Sequence, residues 1–506
     1  MPTAASWTDA RRAVADVGHL LWFRARQVRR GRGGRWVAPV FIAVTLGAAV
    51  VPALLPGAGG EGRAFELLLL LPSATAGFLL LAVVSAVASG GGRELLAREP
   101  ASIHPLSPTT DHLGALLLAP LNISWLLQCW ALLGTTAYAL GPDRVAAAQP
   151  VLLGWVLAAT AVAQVVAWSL EGVRRTAHGI AVVRLLAAAL LGGGLVLQMN
   201  GALVPLLDRI PTRPLVVGML SGWSWRWVAT LLVVLAALLV AVVLGAVPAH
   251  LAARRSPRDE MRVETGRYAA RPAPRSVLAG LVRTDRASVW RAVPMRRGLA
   301  VLALGPGVVA VLGDLPWSSL TVLPGLVASG GALLYGVNAW CLDARGALWR
   351  ESLPVPAGAV FAARAYVLGE FLLAASLVTV ALAATRAGVP SPAELTALVC
   401  TLVVVTVQVV AAALRWSAQR PYAVDLRSAR ATPAPPLTMV GYSTRLAVST
   451  TLTGLVFSAF ARLPDWQVAI LAAVPFLCWS TARLLRTARA WTDPADRARV
   501  VMTVAA

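Results

Sequence analysis

The sequence predicts an all-α, polytopic membrane protein of about twelve transmembrane helices, arranged as two parallel six-helix repeats. Three observations predict it. Apolar residues make up 58% of the 506 residues and charged residues only 13%, where a soluble domain carries about a quarter. Apolar runs near the roughly 20 residues that cross a bilayer recur along the whole chain. Basic residues gather in every second loop, as they do when one compartment retains them.

The candidate spans are 36–56, 65–89, 112–140, 149–169, 178–198, 227–248, 298–313, 319–341, 358–384, 393–414, 439–460 and 466–485. All 45 basic residues are arginine. With the N-terminus inside, 35 of them fall in inner segments, and Arg184, Arg364 and Arg445 lie within spans near the inner end. Only Arg63, Arg144, Arg209, Arg213, Arg226, Arg386 and Arg462 fall outside. Glu61, Glu66, Asp143, Asp208, Asp314, Glu394 and Asp465 offset those seven. The bias places both termini in the cytoplasm and the chain as a multi-pass protein in the cell's inner (plasma) membrane, with its arginines toward an anionic inner leaflet.

The expected order is a cytoplasmic interfacial helix (1–35), a first membrane half (36–248), a cytoplasmic linker with a second interfacial helix (249–297), a second half (298–485) and a cytoplasmic tail (486–506). The first apolar run begins only near residue 36, so no cleaved signal peptide is expected. The 298–313 span is short and contains Gly305-Pro306-Gly307. The longest outer loop, 199–226, is apolar and broken by Pro205, Pro211 and Pro214, so it is expected to dip into the outer leaflet.

Several function classes are excluded or disfavoured. The net charge of +22 is spread between apolar runs instead of gathered on a soluble domain, so it reports topology and not nucleic-acid binding. Without lysine there is neither a standard P-loop nor a Schiff-base site. Cys129, Cys341, Cys400 and Cys478 lack CxxC spacing and read as small apolar fillers. No HExxH occurs, and His19, His104, His112, His178 and His250 sit singly at inner membrane edges. Asp111-His112 reads as a helix cap, and the glycine-rich SGGGREL at 89–95 as the flexible exit of a span. No enzyme activity, cofactor or metal site is expected in this chain.

Three anchors recur in the same order in both halves. LLWFRARQVRRG ends at Gly31 and SVWRAVPMRRG at Gly298, each an aromatic-to-basic lead-in preceded by an aspartate, Asp16 and Asp285. A proline-bearing turn comes before a long span in each half, REPASIHPLSPTT and WRESLPVPAG. Gln164 and Gln408 each start a Gln-Val-Val-Ala string, 56 residues after Pro108 and 52 after Pro356. Six spans per repeat make the halves parallel, related by an axis along the membrane normal. The lead-ins fit interfacial amphipathic helices, with Trp22, Phe23 and Trp290 at headgroup depth.

This plan resembles the permeases of the type-2 ABC transporter class. Such permeases have a cytoplasmic interfacial helix, six spans, and a short inner loop between the second and third that often holds an LPVS-like turn. The matching strings are HPLSPTT at 104–110 and SLPVPAG at 352–358. The resemblance implies a fused twelve-span exporter subunit that works with two copies of a separate ATPase, which holds the ATP and Mg. It implies ATPase contact through inner loops 90–111 and 342–357. In the first loop the contact residues would be Arg93, Glu94, Arg98, Glu99, His104, Pro105, Leu106, Ser107 and Pro108. In the second they would be Arg345, Arg350, Glu351, Leu353, Pro354, Val355 and Pro356.

Ionisable side chains inside a span are costly and mark protein-facing or functional positions. Glu370 lies roughly 18 Å into its span at 1.5 Å per residue. Asn122 is its counterpart, each fourteen residues after its loop proline. The pair either faces each other at the seam between halves or lines a pathway, or else makes interhelical hydrogen bonds, with a protonated Glu370 under that last reading. Arg184, Arg364 and Arg445 are near enough to the inner surface to snorkel. Gln164 and Gln408 read as helix-to-helix glue. The alternative to an ATP-driven permease is a secondary transporter that uses the Glu370 carboxylate.

Overall fold

A computed structural model describes residues 7–29, 34–88, 106–119, 123–207, 209, 212–255, 272, 274–344, 346–424, 433–434 and 436–505. Helices joined by turns make them up, with no strand among the described residues. Eight helices among them are long and apolar enough to cross a bilayer. A ninth is added if Val277–Arg291 and Met295–Val311, bent by 83°, count as one span. This is the construction of a polytopic membrane protein, because a helix satisfies its own backbone in hydrocarbon.

The chain forms two compact units, Met1–Arg258 and Asp259–Ala506. The first contains α1 (Trp7–Arg29), α2 (Gly34–Val50), α3 (Arg63–Ala88), α4 (Pro108–Leu118), α5 (Ile123–Leu140), α6 (Pro142–Arg174), α7 (Gly179–Met199), α8 (Leu203–Leu207), α9 (Arg213–Leu220) and α10 (Trp225–Ala253). The 33-residue α6 is its centre and is buried over most of its length. Small residues at Ala147, Ala148, Ala158, Ala159, Ala161 and Ala163 let neighbouring helices approach it closely. The opposite extreme is α7, which presents Leu185, Leu190 and Val196 outward.

Polar groups inside this unit join helices. The Gln149 amide donates to Ala49 O at 2.9 Å and Leu133 O at 3.1 Å, clipping α2 and α5 to α6. Indole N–H groups do the same: Trp155 donates to Thr75 O (3.1 Å) and Trp227 to Ala147 O (2.6 Å). At the basic end of α6 and α10 two arginines cap each other's helix. Arg175 donates to Ala252 O at 2.6 Å and Arg255 to Gly172 O at 2.6 Å, where terminal carbonyls lack intrahelical donors. The loop expected to dip into the leaflet forms α8 and α9, and α9 buries Leu215, Val216 and Met219.

One sequence expectation is corrected here. Asp111-His112 is not the cap of α4. Ser107 is, accepting from Thr110 N at 3.0 Å. His112 is fully buried and reaches α10, its Nε2 3.1 Å from Val242 O. Gly245 makes room for the imidazole, since a Cβ there would come within 2.3 Å of it.

The second unit contains α11 (Val277–Arg291), α12 (Val293–Leu312), α13 (Trp317–Leu320), α14 (Leu323–Leu334), a 3-10 segment (Gly336–Leu342), α15 (Gly346–Glu351), α16 (Ala357–Ala384), α17 (Pro392–Gln419), α18 (Pro436–Phe460), α19 (Gln467–Thr492) and α20 (Pro494–Ala505). Its centre is α17, which is mostly buried. That helix starts on a capping box between Ser391 and Glu394. The expected 319–341 span is not one continuous helix. It breaks after Leu334, and Asn338 takes φ −148°, ψ 70°. Residues 486–492 continue α19, and α20 buries Val500, Val501 and Val504 instead of forming a loose tail.

Candidate functional site: a charged cluster beside the second proline turn

The break after Leu334 frees backbone groups that hydrocarbon would not tolerate unpaired. Side chains from other helices take them up. Ser417 on α17 accepts from Ala339 N at 2.8 Å and donates to Gly336 O at 2.9 Å. The Asn338 amide donates to Tyr422 O at 2.7 Å and Pro433 O at 3.0 Å. The Arg364 guanidinium, from α16, donates to Ala339 O.

Arg364 is 1% exposed and is the hub of the site. Its Nε donates to Asp285 Oδ2 at 2.9 Å and its Nη2 to Asp285 Oδ1 at 3.1 Å. The same Nη2 reaches both oxygens of Asp343, at 2.8 and 2.9 Å. Asp343 also receives Arg350 Nη1 at 2.8 Å. Two arginines and two aspartates thus balance, which is the condition under which buried charge persists. Snorkelling does not describe Arg364: its planar fork is spent on carboxylates inside the protein. Beneath it lies Trp340, 5.2 Å from the guanidinium carbon. Trp340 stacks on Trp491 of α19 at 3.8 Å and 4°.

The cluster ties four segments to one point: the leading helix α11 through Asp285, the 3-10 exit through Asp343, α15 through Arg350 and α16 through Arg364. A second clamp lies further along. Glu351 at the end of α15 accepts from Arg497 of α20 at 2.9 Å. The turn that follows, Leu353 to Pro356, runs directly into α16, whose cap is Pro356. Exposed apolar side chains rise from the clamped segment: Trp349 is 78% exposed and Leu353 58%.

Glu370 has a charged partner. It accepts from Arg286 Nε at 2.7 Å, and both side chains are partly exposed. Trp290 packs edge-on against Phe371 at 5.7 Å, so α11 follows α16 over this length. Gln408 accepts from Thr453 Oγ1 at 3.2 Å, joining α17 to α18. Gln164 is buried in α6. Arg184 is exposed on α7. Arg445 lies over the Trp416 ring at 5.8 Å, and Arg420 over the same ring at 4.7 Å. Pro108 opens α4, Ser107 caps it and Leu106 precedes the cap. Arg93, Glu94, Arg98, Glu99, His104, Pro105, Asn122 and Arg345 lie outside the described residues.

Sequence reasoning missed Asp343 and Asn338 and used Asp285 only as a repeat marker. An acid two residues past an apolar run, and an arginine inside the next span, were the available signals. Among the described residues no cluster of His, Cys, Asp or Glu is arranged to hold a metal ion. The chain matches no family model, and comparisons with curated proteins and with solved structures find no match.

Proposed function

We propose that the chain is the membrane-spanning permease subunit of an ATP-driven ABC transporter, an exporter, coupled to separate ATPase subunits through the inner loops 90–111 and 342–357. The observation that carries the proposal is the second proline turn. Its charged residues are held on both sides, by Asp343–Arg364–Asp285 and by Glu351–Arg497, while Trp349 and Leu353 project outward. A partner that pushes on those two side chains acts on a braced segment leading straight into α16. Exposed aromatic and aliphatic anchors beside charges are what a docking partner needs.

One further feature supports the twelve-span tandem plan. In each unit the leading helix packs on the helix that follows the proline turn: α1 on α4 through Val17 and Leu118, and α11 on α16 through Asp285, Arg286 and Trp290. The resemblance to type-2 permeases supplies the ATPase and the paired coupling loops. The secondary-transport alternative rests on the Glu370 carboxylate, which is paired with Arg286.

The test is affinity purification of the full chain in mild detergent. A co-purifying protein with Walker motifs, lost from the Trp349→Ala/Leu353→Asp variant, supports the reading. Transport by the chain alone in liposomes, without any ATPase, overturns it.

A further inference from the structure

A cavity of about 360 Å³ opens between the arginine-bearing ends of α17 and α19 and the flank of α20. Arg415, Arg483, Arg486 and Arg499 line it, with Asp496 as the one acidic lining residue. The charge is unbalanced. Arg499 is directed to a helix-end carbonyl, Ala418 O, at 2.9 Å, and Arg486 Nε to Ala482 O at 3.3 Å. Among the described residues neither Arg415, Arg483 nor Arg486 forms an ion pair with a carboxylate. Arg483 is close enough to Arg415 and Arg486 to be repelled by both. Its Nε is buried and has no hydrogen-bond partner. Such a group is normally satisfied, so an orphaned buried donor beside a cavity marks a missing acceptor.

We propose that this cavity binds a phosphate group, with Arg483 as the central donor and Arg415, Arg486 and Arg499 around it. Guanidinium forks match the tetrahedral oxygens of phosphate, and a bound dianion or monoanion relieves the repulsion of Arg483 by Arg415 and Arg486. The volume exceeds a bare phosphate and accommodates a headgroup. On the adjoining face of α19, Trp479 and Leu485 are exposed, which gives acyl chains an apolar wall, with Trp479 itself beneath Arg486 at 5.9 Å. The ligand chemistry is a phosphate monoester or diester, from an anionic phospholipid or from a soluble phosphate. The site stands independently of any ATPase at the proline turns.

The test uses the purified full chain and the Arg415→Gln/Arg483→Gln variant. Binding of phosphatidylglycerol and of phosphatidylcholine is measured by native mass spectrometry, and inorganic phosphate by the shift in unfolding temperature. The wild type is expected to prefer phosphatidylglycerol by about tenfold, equivalent to about 1.4 kcal/mol, and the variant to lose that preference. Stabilisation by inorganic phosphate that depends on Arg483, without a lipid preference, supports the site with a soluble ligand. If the double variant fails to fold, Arg483→Lys takes its place, keeping the charge without the fork, and is expected to weaken binding. Equal binding of both lipids together with no Arg483-dependent phosphate effect overturns the proposal. So does occupancy by a protein partner that phosphate and phosphatidylglycerol do not displace.

Discussion

Arg364 forks onto Asp285: Nε meets Oδ2 at 2.9 Å and Nη2 meets Oδ1 at 3.1 Å, across 79 positions of sequence. Both side chains are nearly inaccessible. The bond fastens the helix that leads into the second unit to the span that follows its proline turn.

Removing one partner of a buried pair strands the other charge, at a cost of about 3–5 kcal/mol. Arg364→Gln strips Asp285 of its arginine and leaves Asp343 with Arg350 alone, and is expected to lower the unfolding temperature in detergent strongly. Arg364→Lys should recover only part of the loss, because a single ammonium cannot serve Asp285, Asp343 and Ala339 O together. Pairing Arg364→Gln with Asp285→Asn should be less damaging than the sum of the two single changes.

Gly245 and His112 make a second coupled pair. Gly245→Ala drives a methyl into the imidazole, and overpacking of this kind costs about 1–3 kcal/mol. His112→Ala removes the obstacle, so the double variant should be more stable than Gly245→Ala plus His112→Ala taken additively. Thermal unfolding of the four proteins checks this, and simple additivity contradicts it.

Gln149 bridges α2 and α5 with one amide nitrogen. Interhelical hydrogen bonds in membranes are worth about 0.6 kcal/mol on average. Gln149→Leu is therefore expected to cost about 1 kcal/mol by this route, with Ala49 O and Leu133 O losing their donor. Hydrogen exchange at the α2 end should quicken while α17 stays protected.

Thiol chemistry reports burial directly. Cys129 and Cys341 are buried, and Cys478 is exposed on α19. A membrane-permeant maleimide should modify Cys478 first and leave Cys129 and Cys341 until the protein unfolds, as read by mass spectrometry.

Much of the architecture was legible because hydropathy and arginine placement act residue by residue. Helices α3, α6, α7, α10, α16, α17 and α19 fall on predicted spans for that reason. The 3-10 exit was not legible, since Gly336, Val337, Ala339, Trp340 and Cys341 read as a continuing apolar run. Its break depends on Ser417 and Arg364, which are distant in sequence. Glu370 was visible as a costly intramembrane acid, but its partner Arg286 sits 84 positions away in a helix that sequence placed at the surface. The balance at Arg364 was hidden likewise: Asp285 and Asp343 become its ligands only once three separate segments meet.

The central claim is that the turns 90–111 and 342–357 face the same compartment and receive one kind of partner. Single cysteines introduced at Ala101, Ser352 and, as a control, Ala387 in a cysteine-free chain test it with an impermeant maleimide on intact cells and on inside-out vesicles. Labelling of Ala101→Cys and Ser352→Cys only in inside-out vesicles, and of Ala387→Cys only on intact cells, is the predicted result. Labelling of the first two from opposite sides would contradict the parallel repeat and the shared docking face together.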